Sequence, residues 1–68
     1  MSIAQAFGFE LARQRVLRRK IARAEELCSR YLADANEALE VGKTKKSEHL
    51  YEKSGFWRDR YNELVGNN

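Results

Sequence analysis

The chain has 68 residues and a mass of 7.9 kDa, which allows one domain near the lower limit for independent folding. Hydrophobic residues make up 43% and charged residues 34%, which excludes both a disordered tail and a membrane-embedded chain. A domain this small buries only about 60% of the surface its unfolded chain exposes, so a deep active-site cleft is not expected.

The formal net charge is +3, and its distribution matters more than its size. Arg13, Arg15, Arg18, Arg19, Lys20 and Arg23 fall within residues 13–23 with no acid among them. Residues 24–41 then carry Glu25, Glu26, Asp34, Glu37 and Glu40 against a single Arg30. Such a basic block can meet nucleic acid, an anionic surface or an acidic partner. The lone cysteine, Cys28, permits no internal disulfide and fits a reducing, cytoplasmic setting. No apolar run approaches the 18 residues of a membrane span, and the first residues lack the compact apolar segment of a secretory leader.

In chain order, Ser2 followed by Gln5 reads as a capping box that opens a helix. From Ile3 to Val41 there is no proline, and only Gly8 interrupts good helix formers. Gly8 costs about 1 kcal/mol in a helix interior, so a bend or fraying is expected there. Leu17, Ile21, Ala24, Cys28, Tyr31, Ala35 and Ala38 step alternately by four and three, a heptad seam that Leu32 and Leu39 widen. Ile3, Ala6 and Phe7 lie on the same face further back. Gly42 suits the left-handed residue that closes a helix. The first helix is therefore expected at about 2–41.

A short turn follows, with Thr44 preferred over Ser47 as the cap of a second helix at about 45–65. Its stripe is Leu50, Ser54, Trp57, Tyr61, Leu64 and Val65. So short a turn makes the helices antiparallel. Matching bulky residues to small ones puts Leu50 near Ala35 and Leu39, Trp57 near Cys28, and Tyr61 and Leu64 near Ala24 and Ile21. The fold class expected is all-α, an antiparallel two-helix hairpin in a single domain spanning 1–68. At 1.5 Å per residue, roughly 26 Å of the first helix overhangs the second. One interface rarely supports so small a fold, so two hairpins are expected to dimerise into a four-helix bundle.

The functional candidates follow from what this architecture leaves outside. Phe7 follows the seam but Phe9 points away from it, and Phe56 lies off the second stripe; with Arg58 they form a candidate partner-binding set, because aromatic and arginine side chains dominate interface energetics. Arg13, Arg15, Arg18, Arg19, Lys20 and Arg23 are the candidate nucleic-acid contacts, against the plainer reading of a solvated helix face. Two observations weigh against that second use. The helix lengths do not suit a helix-turn-helix, and no aromatic residue interleaves with these arginines to offer a stacking platform. Binding to a membrane surface by the basic first helix is a third, weaker reading.

Catalytic and cofactor readings fail on residue type. His49 stands alone and Cys28 lies on the other helix, so no metal site is expected. Cys28 among alanines reads as a small apolar residue and not a nucleophile. Gly42-Lys43-Thr44 lacks the upstream glycine and preceding strand of a phosphate loop. The acid pairs Glu25/Glu26 and Glu48/Glu52 have no neighbouring base. No cofactor, no small-molecule substrate and no enzymatic activity are expected. In size and architecture the chain resembles the short all-helical accessory proteins of phage and plasmid genomes, some of them dimeric helical hairpins; no motif carries that resemblance and no site transfers from it. The expected function is regulatory or adaptor work by protein–protein interaction as a homodimer, with RNA or DNA binding through Arg13–Arg23 as the alternative.

Overall fold

The computed structural model describes the backbone from Ile3 to Gly66, and the side chains of residues 11–66. It contains two helices, α1 (Ile3–Glu40) and α2 (Thr44–Val65), packed against each other as a hairpin. α1 continues as one helix through Gly8, so the glycine does not break it. The Ser2–Gln5 capping box lies outside the described residues.

The turn is built as the sequence requires. Gly42 has φ +80°, a conformation that side-chain-bearing residues adopt at a cost of roughly 1–2 kcal/mol. Its amide donates to Leu39 O at 3.1 Å, and the Lys43 amide donates to Ala38 O at 2.8 Å. Together these bonds satisfy two of the carbonyls left free at the end of α1. α2 begins at once, with the Ser47 amide donating to Lys43 O at 2.9 Å. Thr44 is the first helical residue and does not cap α2; the residue before it, Lys43, makes no side-chain cap bond. Gly66, at φ +81°, closes α2, donating its amide toward Glu63 O at 3.2 Å.

The contact between the helices is made by small residues on both sides. Ala24 and Ala35 are fully buried and Ala38 nearly so; from α2 the buried residues are Ser47 and Ser54. Each serine bonds across the seam to a backbone carbonyl. Ser47 Oγ donates to Ala35 O at 2.9 Å, and Ser54 Oγ donates to Cys28 O at 2.9 Å while lying 3.6 Å from Cys28 Sγ. A side chain of α2 that reaches the main chain of α1 requires close approach, and the small side chains of Ala24, Cys28, Ala35, Ser47 and Ser54 leave room for it.

This fixes a register different from the expected one. Seven residues forward on α2, from Ser47 to Ser54, correspond to seven back on α1, from Ala35 to Cys28. Ser54 therefore faces Cys28 where Trp57 was expected, a slip of three residues or about one turn. Size matching assumed that bulky side chains fill the seam. Instead the serine hydroxyls do so, and the bulky residues line its flanks. Leu50 lies in a groove with Asp34, Glu37 and Ala38; Trp57 lies in another with Arg19, Lys20 and Arg23.

Carried to its end, the same register sets Val65 opposite Leu17. The α1 backbone from Ile3 to Val16 therefore has no α2 beside it, an overhang of about 21 Å at 1.5 Å per residue, somewhat less than expected. The molecule measures 60 × 19 × 12 Å.

Candidate functional site

The hairpin has two flanks of different character. At about 100° per residue, Ile21, Leu32 and Leu39 lie to one side of the seam of α1, and Arg23, Leu27 and Asp34 to the other. Tyr51 and Gly55 border the first flank from α2, where Tyr51 Oη donates to Asn36 Oδ1. Leu50, Trp57 and Leu64, seven residues apart, border the second.

The second flank holds the basic residues. A groove of about 390 Å³ is lined by Arg19, Lys20 and Arg23 from α1 and by Trp57, Arg60 and Leu64 from α2. A neighbouring groove of about 280 Å³ adds Arg13, Val16 and Leu17 and shares Lys20 and Leu64. Its lining contains no acid. Arg60 is near Glu63 Oε2 at 3.4 Å, whereas no ion pair holds Arg19, Lys20 or Arg23 among the described residues.

The hairpin brings an aromatic residue of α2 to this basic flank. No aromatic residue interleaves with the arginines along α1, but the one-turn slip of α2 carries Trp57 across the seam to them. Trp57 and Arg60 on α2 line the same groove as Arg19 and Arg23 on α1, a juxtaposition that appears only once the register is known. Trp57 is half-buried, and Phe56 stands edge-to-face against it with ring centroids 5.3 Å apart.

Not all of the basic block lines these grooves. Arg13, Arg19, Lys20 and Arg23 reach the grooves; Arg15 and Arg18 are exposed away from them. Of the partner-binding set, Phe56 is 63% exposed and shares a hollow with Asp59, Arg60 and Glu63. Arg58 does not line that hollow, but its Nη2 sits 3.4 Å from Asp59 Oδ1, which does; the basic residue of the lining is Arg60. The Phe7 and Phe9 side chains lie outside the described residues.

Compared with known proteins, the chain matches no family model, no curated protein and no solved structure. The chemistry must therefore be read from the residues alone. Among the described residues, no three His, Cys, Asp or Glu side chains gather as a metal site would require. His49 is exposed, 4.0 Å from Glu52 Oε2. Cys28 is half-buried in the seam beside Ser54. No described helix is long and apolar enough to cross a membrane. What the described surface offers is shape, apolar area and positive charge.

Proposed function

We propose that this chain is a non-enzymatic regulatory or adaptor protein of the cytoplasm, working by protein–protein interaction as a helical homodimer, in kind like phage and plasmid accessory proteins. The observation that supports the dimer is an excess of uncovered surface. The single hairpin exposes 5701 Å², whereas a compact monomer of 7.9 kDa exposes about 4,400 Å² by the usual scaling. The surplus of about 1,300 Å² exceeds what one partner contributes to a standard stable interface, about 800 Å². Leu32 and Leu39 stand 44% and 52% exposed on one flank, seven residues apart, as a helix–helix seam requires.

Two hairpins joined along the Leu32/Leu39 flank form a four-helix bundle and leave Phe56 and the basic grooves outward for a partner. Sedimentation equilibrium over a range of concentrations tests this. A dimer supports it; a monomer at high concentration removes it.

A second reading, RNA or DNA binding through the Arg13–Arg23 segment, draws on a specific observation. Trp57 lies among Arg19, Lys20 and Arg23, supplying the aromatic surface that the basic segment itself lacks.

A further inference from the structure

Three features of the second flank bear on that second reading. Arg19, Lys20 and Arg23 from α1 and Arg60 from α2 line a single groove together with Trp57 and Leu64. Arg19, Lys20 and Arg23 carry no competing ion pair among the described residues. Among those residues, too, the cation that sits over an aromatic ring is Lys53 over Tyr31, at 5.5 Å, and none caps Trp57. An uncapped indole ringed by cations suits a ligand with a flat, stackable group and flanking negative charges.

Resting on the nucleic-acid reading, we propose that this groove binds single-stranded nucleic acid, with a base stacked on Trp57 and its phosphates held by Arg19, Lys20, Arg23 and Arg60. Single strands are the fitting form because their bases are free to leave the stack; in a duplex those faces are already occupied. Arginine suits the phosphates because its planar fork donates two parallel bonds. Phe56, edge-to-face with Trp57, extends the aromatic surface toward the rim. The Leu32/Leu39 flank faces the other way, so dimerisation there leaves the groove open.

Trp57 is the one tryptophan of the chain, so its emission reports on the groove directly. The full chain is titrated with a short oligothymidylate, its duplex with oligoadenylate, and inorganic polyphosphate. The oligothymidylate is expected to quench Trp57, and polyphosphate to bind without quenching. Affinity should fall with salt at a log–log slope of about −3, the value for four phosphates on a single strand. Followed by anisotropy of a labelled oligonucleotide, Trp57→Leu should weaken binding roughly 5- to 140-fold with the slope retained. Arg23→Ala, at an exposed position, should flatten the slope by roughly 0.7. Far-UV circular dichroism checks the fold of each variant, and Arg23→Ala keeps the test decisive if Trp57→Leu fails to fold. Equal quenching by polyphosphate, preference for the duplex, or no quenching at low salt overturns the proposal. Binding without any change in Trp57 emission defeats this groove while sparing the broader nucleic-acid reading; no binding of any nucleic acid defeats both.

Discussion

Ser47 separates the observed register from the one that side-chain size suggests. At the turn, as a helix cap, it would be exposed, and alanine or leucine there would differ little. In the structure it is 1% exposed and donates to Ala35 O at 2.9 Å. Ser47→Ala removes a hydrogen bond worth about 1 kcal/mol net. It leaves no orphaned donor, and alanine's better helix propensity returns about 0.5 kcal/mol. The balance is a loss of about 0.5 kcal/mol, or roughly 2–4 °C in Tm for a domain of this size. Ser47→Leu loses the same bond and adds overpacking against the Ala35 backbone, about 1–3 kcal/mol. The total, about 2–4 kcal/mol, should lower Tm by roughly 10–30 °C. Thermal melts followed at the helical circular dichroism band, at one fixed protomer concentration because association shifts Tm, compare the two. If Ser47→Leu melts within a few degrees of Ser47→Ala, the close-packed seam is wrong.

Other substitutions probe other parts of the fold. Gly42→Ala meets no atom within 4 Å, yet φ +80° should cost about 1 kcal/mol, seen as a few degrees in Tm. Ala24→Arg, at a position with 0% exposure, places a charge in the seam and should abolish the cooperative melt. Leu39→Glu, on the proposed dimer flank, should yield a helical monomer by sedimentation; a dimer unchanged in strength would move the interface elsewhere. Arg19→Glu should leave helicity intact yet weaken oligonucleotide binding, and an unchanged affinity would take Arg19 out of the groove's work.

The local grammar of the chain was legible because single residues carry it. An unbroken seam of four and three steps set α1, and Gly42 and Gly66 ended the helices through a conformation that glycine adopts freely. Ser47 is weighed only as the second cap candidate and left out of the stripe, because a serine near a helix start serves equally well as a cap or as a seam residue. The choice depends on which carbonyl lies opposite, and that is tertiary information. The same ambiguity displaced Trp57 by a turn and hid the groove. Charge patterning picks out the basic segment, but not which of its members line a groove: Arg19 and Arg23 do, whereas Arg15, one turn before Arg19, and Arg18 do not.

Two helices packed side by side make a body one helix thick, about 10–12 Å with side chains. A body one helix thick has no second layer to close over a guest, and its seam is filled by alanine and serine down to the main chain. Whatever settles on one hairpin therefore stays wetted on its outer side. Its residence there depends on how many weak contacts act at once, so pairing two hairpins multiplies retention without any need to deepen either surface.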